Sequence, residues 1–148
     1  MQRKVYPYVP KFMNKFIGHY PIKFRSSWEV SFARWLDYNE NVITWSNEKH
    51  AIPYYDPMQS KNRRYFPDFY AKIKNKNNKV TEYIIEIKPK KETRPPRKNN
   101  KQSKKTKLYQ EATYITNSAK FESARFYAKK MGYIFKIITE EELFRKIK

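Results

Sequence analysis

Arg64-Tyr-Phe-Pro-Asp68-Phe-Tyr-Ala-Lys-Ile73 and, beyond the polar stretch Asn75-Lys-Asn-Asn-Lys79, Tyr83-Ile-Ile-Glu86-Ile-Lys88 read together as one β-hairpin. Both arms are rich in aromatic and β-branched side chains, which suit a pleated, half-buried surface, and the asparagines between them tolerate the backbone of a tight turn. Asp68 and Glu86 each stand nine residues from Asn77, at the middle of that loop. A symmetric antiparallel register therefore sets the two carboxylates opposite each other, and the two-residue strand period brings Lys88 to the face of Glu86. A slip of one residue would send Asp68 to the other face, so the whole reading rests on register.

Two like charges set across a sheet repel, and one is pushed toward protonation unless a cation sits between them. Oxygen ligands from Asp and Glu suit Mg²⁺, with Mn²⁺ able to take its place. Such an ion keeps several waters and lowers the pKa of one of them, while a neighbouring lysine steadies the nucleophile or the charge that develops on phosphorus. That is the chemistry of phosphodiester hydrolysis. The plainer reading makes Glu86-Ile-Lys88 a solvated strand face and Asp68 a turn residue after Pro67. The mirror placement about one loop, with a third acid upstream, favours the site.

The charge balance points to the same substrate. The 148 residues suffice for one domain with a modest core. Against 14 acidic residues stand 33 lysines and arginines, a formal charge of +19 that calls for a polyanionic partner, nucleic acid first among them. A chain that is 18% aromatic is too patterned for a disordered basic tail, so a folded body carries the charge. With no cysteine, disulfides, zinc–thiolate sites and cysteine nucleophiles are excluded. No signal-peptide block and no long apolar run occurs, so the expectation is a soluble, intracellular protein with no membrane partner. His19 and His50 stand in no ligand-like spacing.

Along the chain, residues 1–24 hold five basic and no acidic residues among Tyr6, Tyr8, Phe12, Phe16, Tyr20 and Phe24, with prolines at 7, 10 and 21. This is a basic aromatic N-terminal arm, able to stack on bases and track phosphates, or to pack across its own domain or a partner. Residues 25–148 form the remaining single domain. A helix runs from Ser26 to about Tyr38, with Trp28, Phe32, Trp35 and Leu36 on one stripe. Ser26 and Glu29 make a capping box, which explains Glu29 structurally; alternatively Glu29 projects toward the acidic pair. Short strands are expected over 42–45 and 51–55. Arg63 and Arg64 follow, either clamping a phosphate at the mouth of the site or simply solvated.

From Lys88 to Lys107 there are ten basic residues and one acid, Glu92. With Pro89, Pro95 and Pro96 and almost nothing apolar, residues 89–106 read as a flexible basic loop. Its Lys90, Lys91, Arg94, Arg97, Lys98, Lys101, Lys104 and Lys105 are candidate DNA contacts, a solvated linker being the alternative. Leu108, Ala112 and Ile115 mark a helix expected to break near Asn117, where Asn117 or Ser118 caps the next. Phe121, Ala124, Ala128 and Met131 line that second helix, and Gly132 stops it. A buried strand over 133–138 follows, then a capping box of Thr139 and Glu142 opening a short helix with Leu143, Phe144 and Ile147.

The order of helix, strands, hairpin, helix and strand, with Pro67-Asp68, seventeen intervening residues and Glu86-Ile87-Lys88, resembles the PD-(D/E)XK nuclease fold: an α/β restriction-endonuclease-like core with a mixed sheet flanked by helices. Further runs are similar to the head-completion nucleases of large contractile-tailed bacteriophages. They are Phe24-Arg-Ser-Ser-Trp-Glu29, Phe32, Trp35-Leu-Asp37, Ile52-Pro-Tyr54, Arg63-Arg-Tyr-Phe66 and Ile85-Glu-Ile-Lys-Pro-Lys-Lys-Glu-Thr93 with Pro95-Pro96. The likeness spans about Phe24 to Leu143, with a looser one to TnsA-type endonucleases and to restriction enzymes. It implies metal ligation by Asp68, Glu86 and the Ile87 carbonyl, assistance by Lys88, and an acid, Glu29, from the first helix. It also implies action in the host cytoplasm during virion assembly, on DNA, beside phage head, portal or neck proteins, with association with the virion. The basic loop is more lysine-rich than that motif demands.

The first expectation is therefore a Mg²⁺-dependent endodeoxyribonuclease of low sequence specificity, since no base-reading motif is present. The alternative from another class is a structural head protein that grips DNA or plugs the portal with little or no catalysis. A restriction or transposition enzyme would need a specificity domain for which 148 residues leave no room.

Overall fold

In the computed structural model, residues 4–144 are described. Ile147 and the first three residues of the basic arm lie outside them. The hairpin forms from β6 (Phe69–Lys74) and β7 (Val80–Ile87), with Phe69 opposite Ile85 and Lys74 opposite Val80. Continued by one step, this register sets Asp68 opposite Glu86. The turn closes on Asn75, whose Oδ1 accepts from Asn77 N and Lys79 N at 2.9 and 3.0 Å, while Asn78 takes φ 62°. That φ lies in the left-handed region, which asparagine tolerates better than most residues.

The hairpin is the centre of a mixed sheet of order β3-β6-β7-β8. Strand β3 (Val42–Asn47) pairs antiparallel with β6, and β8 (Ile134–Ile138) pairs parallel with β7. One face carries Phe69, Ala71, Ile85 and Ile87 against α1 (Ser27–Tyr38), which buries Phe32, Ala33 and Leu36. The other carries Ile84, Phe135 and Ile137 against Phe121, Ala124 and Ala128 of α2 (Lys104–Met131). Helices thus cover both faces, and α2 is the crossover that joins parallel β7 to β8. Strand β8 is an edge strand, and the buried run expected there alternates instead, from Ile134 at 48% exposed to Ile138 at 7%.

A second, two-stranded sheet pairs β4 (Ile52–Asp56) with β5 (Lys61–Tyr65). It corrects the sequence reading at two points. Arg64 and Tyr65 belong to this hairpin and not to the central one, and Phe66-Pro67-Asp68 is the passage between the two sheets. Ile52, Tyr54 and Tyr65 face α2, while the arginines between them stay outside.

Helix α2 is continuous through Asn117, where a break was expected. Asn117 is buried there and caps nothing, while Ser103, whose hydroxyl accepts from Thr106 N at 3.1 Å, is the N-cap. The helix therefore absorbs Lys104 and Lys105 from the segment read as loop, and Lys90–Thr93 winds into a 3₁₀ turn. Its C-terminus is as expected, with Gly132 in the left-handed region at φ 76°. The capping box of Thr139 and Glu142 also forms, opening α3 (Glu140–Leu143).

The N-terminal segment packs on its own domain. Strand β1 (Tyr6–Tyr8) pairs with β2 (Ile22–Phe24), and Tyr8, Phe16, Ile22 and Phe24 enter the core around the fully buried Trp45. Asp37, at the end of α1, holds the segment. Its carboxylate accepts from Tyr8 Oη at 2.7 Å, Lys11 N at 2.6 Å and Phe12 N at 3.1 Å. Lys15 Nζ donates to the carbonyls of Leu36, Asp37 and Asn39 at 2.8 to 3.0 Å. Gly18 is required where the segment crosses β3, because a Cβ there would lie 2.2 Å from Asn47 Oδ1.

Candidate active site

Pro67-Asp68 enters the sheet at the open end of the hairpin, and Glu86-Ile87-Lys88 leaves it beside them. The Ile87 N–H donates to Asp68 Oδ2 at 2.8 Å, and the Asp68 N–H donates to Glu86 Oε2 at 3.3 Å. Each carboxylate is thus held by the backbone of the opposite strand, which fixes both with little side-chain freedom. Lys88 Nζ stands 3.9 Å from Glu86 Oε1, on the face the strand period assigned to it. Strand β8 clamps this end of β7 from the other side, through Lys88 N donating to Ile138 O at 2.9 Å.

The electrostatics are strained. Burial is the main cause that lifts the Asp68 carboxyl well above its usual range, followed by the Glu86 and Glu29 charges, with the Ile87 N–H and Lys88 pulling the other way. Glu86 is 7% exposed, and burial raises its pKa too, against the opposing pull of Tyr65, Lys88 and the Asp68 N–H. Two buried carboxylates facing each other with a single nearby ammonium is an arrangement short of positive charge.

Glu29 lines the same cleft as Asp68, a space of about 460 Å³ that also borders Lys23, Arg25 and Glu48. The capping box expected around it is half formed. Ser26 Oγ accepts from Glu29 N at 3.2 Å, but the glutamate carboxylate takes the Ser26 hydroxyl at 3.1 Å. Burial raises its pKa. Among the described residues no three acidic, histidine or cysteine side chains stand close enough to hold one ion jointly, so Glu29 adds charge near Asp68 without joining the pair.

Two residues assigned no role from the sequence complete the surroundings. Tyr65, at the end of β5, is 6% exposed with its hydroxyl beside Glu86, and no hydrogen bond of normal geometry reaches it from the described residues. Burial, and then the Glu86 charge, push its pKa up. Lys120 comes from α2, its ammonium 5.7 Å from the Tyr65 ring centre and 5.9 Å from that of Tyr54. Burial lowers its pKa, and the Lys88 charge lowers it further while Glu86 raises it. An isolated lysine between two helical apolar positions carries no signal in sequence; only the packing of α2 over the β4–β5 hairpin brings it here.

The donor set suits a divalent cation. Asp68 and Glu86 offer hard oxygens that need positive charge, and the Tyr65 hydroxyl stands beside Glu86.

The expected DNA contacts divide into two groups. Arg63 is tied to the buried Asp56, Nη1 to Oδ2 3.8 Å, and to Gln59, while Arg64 lies over the Phe66 ring at 5.7 Å. Lys90 is held by α3, its N–H donating to Glu140 Oε1 at 2.8 Å and its ammonium meeting Glu141. Lys91, Arg94, Arg97, Lys98, Lys101, Lys104 and Lys105 are exposed. They form a basic rim that begins where β7 ends.

His50, given no role, sits in an aromatic knot at the far end of the sheet. Its Nδ1 is 2.9 Å from Tyr127 Oη, and the rings of Tyr70, Tyr127 and Tyr133 lie 5.4 to 5.7 Å away.

Comparison with known proteins adds three findings. Residues 39–140 match the family described as TnsA-like endonuclease N terminal. This span contains Asp68, Glu86 and Lys88 but not Glu29. The chain is also 39% identical over 140 residues to the head completion nuclease of Enterobacteria phage T4, an overlap that covers 92% of this chain and 91% of that protein. No solved structure matches it.

Proposed function

The chain belongs to the TnsA-like endonuclease family, whose restriction-endonuclease-like fold is the mixed sheet flanked by helices described above, and from that premise we propose that it is a divalent-metal-dependent endodeoxyribonuclease acting in phage head completion after DNA packaging. The observation that carries the reading is the buried pair Asp68–Glu86, locked carboxylate to opposite backbone and short of positive charge, with Lys88 at 3.9 Å.

Asp68, Glu86 and the Ile87 carbonyl are the proposed holders of Mg²⁺, or of Mn²⁺ in its place. Bound there, the ion would supply Lewis-acid polarisation of the phosphate and a water acidic enough to attack it. Lys88 orients that water or meets the charge growing on the phosphoryl oxygens. Glu29, facing the same cleft from α1, accepts a hydrogen bond from water and fixes its direction. Lys120 offers a second ammonium on the α2 side, stripped of part of its hydration by two tyrosine rings and so able to contact a phosphate strongly. The exposed lysines and arginines from 91 to 105 grip phosphates without reading sequence, giving low sequence specificity.

Supercoiled plasmid in Mg²⁺, at low and moderate salt, tests the proposal with wild type and an Asp68→Ala, Glu86→Ala double variant. Nicking and linearisation by wild type alone, with DNA binding by the variant retained or strengthened, is the expected result. Equal cleavage by both sinks the site. Binding by both with no cleavage by either turns the reading toward a structural DNA-gripping head protein.

A further inference from the structure

Beside the active site lies a second cavity that catalysis does not use. It is a half-open space between residues 91–102 and the first half of α2, has a volume of about 640 Å³, and is lined by Arg94, Arg97, Gln102, Tyr109, Tyr114 and Asn117. That volume is in the range of small-ligand sites. Asn117 is 5% exposed, yet its Nδ2 has no acceptor among the described residues. Gln102 Oε1 is likewise buried without a donor. The side chains that carry this amide donor and this amide acceptor both line the same space. Buried polar atoms left in this state cost stability unless a ligand or water meets them.

The chemistry of the lining specifies what would meet them. An amide donor and an amide acceptor on the walls of one cavity are the groups that pair with the edge of a nucleobase. Tyr109, 73% exposed, offers a ring on which a base can stack, with Tyr114 on the same helix. Arg94 and Arg97 supply the charge for the attached phosphate. The position fits as well. The cavity shares Glu92 with a shallow groove bordered by Ile87, Lys88 and Pro89, the residues that end and follow the strand carrying Glu86.

We propose that this cavity receives one unstacked nucleotide of a single-stranded DNA segment, read by its base edge at Gln102 and Asn117 and held by stacking on Tyr109, next to the scissile phosphate. The inference rests on the DNA-nuclease reading for its ligand class and deepens it: the substrate is DNA with an unpaired tail or gap, in preference to a closed blunt duplex. The buried asparagine in mid-helix, which would otherwise destabilise α2, is there to meet that base.

The test compares two fluorescent DNA duplexes carrying tails of equal length, one with normal bases and one abasic, so that phosphate number is identical. Binding is measured by anisotropy in EDTA, where failure of cleavage cannot imitate failure of the pocket. Wild type should bind the normal tail about tenfold more tightly than the abasic one. Asn117→Leu and Tyr109→Ala should each lower that ratio below about threefold. A wild-type ratio near one overturns the proposal, as does a ratio that either exchange leaves unchanged. Thermal melting checks that Asn117→Leu is folded; if it is not, exposed Tyr109 decides alone.

Discussion

The two ends of α1 treat buried negative charge in opposite ways. At the C-terminal end Asp37 is wholly enclosed, in a position where the helix dipole already disfavours an anion, and its oxygens receive a phenol and two backbone N–H groups. Lys15 adds its ammonium to the carbonyls alongside. Near the N-terminal end, Glu29 overlooks a pair of carboxylates that receive one backbone N–H hydrogen bond apiece among the described residues, with the nearest ammonium at 3.9 Å. The same chain thus shows that it can satisfy a buried acid fully. Where it does not, at Asp68 and Glu86, the carboxylates are left short of donors, and that shortfall is what the proposed metal site would fill.

That contrast can be broken most sharply at the acidic pair. Asp68→Asn should reduce plasmid nicking at least about a thousandfold and yet raise the metal-free stability by about 1 kcal/mol, because it removes one of two repelling buried charges. The nicking rate and the urea midpoint measured on one preparation decide it, and a loss of stability would show that the pair is structural. Asp37→Ala should do the reverse, costing about 3 kcal/mol of stability by stranding three donors, with the nuclease site intact in whatever fraction remains folded. A variant as stable as wild type would remove the distinction altogether.

Smaller effects sharpen it. Lys120→Ala should slow cleavage about tenfold, and Lys120→Arg should recover part of the rate, provided the ammonium acts on a phosphate; single-turnover rates at saturating DNA give the answer. The combined exchange of Lys98, Lys101, Lys104 and Lys105 to Gln should lower the slope of log binding constant against log salt by about 3.6, each lost phosphate contact removing about 0.9. Lys15→Met should leave that slope alone and cost about 1 kcal/mol of stability, since this lysine is spent on helix carbonyls.

What could be read in the sequence follows from how local each cause is. The hairpin register was legible because the arms are symmetric about Asn77 and one face is apolar, so that a slip of one residue would part Phe69 and Ala71 from Ile85. Ser26, Thr139 and Gly132 announced their helix ends because capping involves only neighbours. Strand β5 was hidden, since Lys61-Asn-Arg-Arg carries no apolar alternation and the strand exists because β4 lies beside it. The break expected at Asn117 failed for a related reason: asparagine favours a cap only when the backbone around it is free, and here it lies buried within a helix packed through Phe121, Ala124 and Ala128. At the site, Asp68, Glu86 and Lys88 were legible as a spacing. Tyr65 and Lys120 were not, because they arrive from the second hairpin and from α2 through packing alone.

The parallel pairing of β7 with β8 also governs when the enzyme can exist. Forty-six residues separate Ile87 from Ile134, and the hydrogen bond from Lys88 to Ile138 closes only after the whole crossover has been made. Contacts so distant along the chain form late and slowly in folding. A chain in which only the central hairpin has formed therefore holds its acids and its lysine on an unbraced edge, and their arrangement is complete only once β8 has docked.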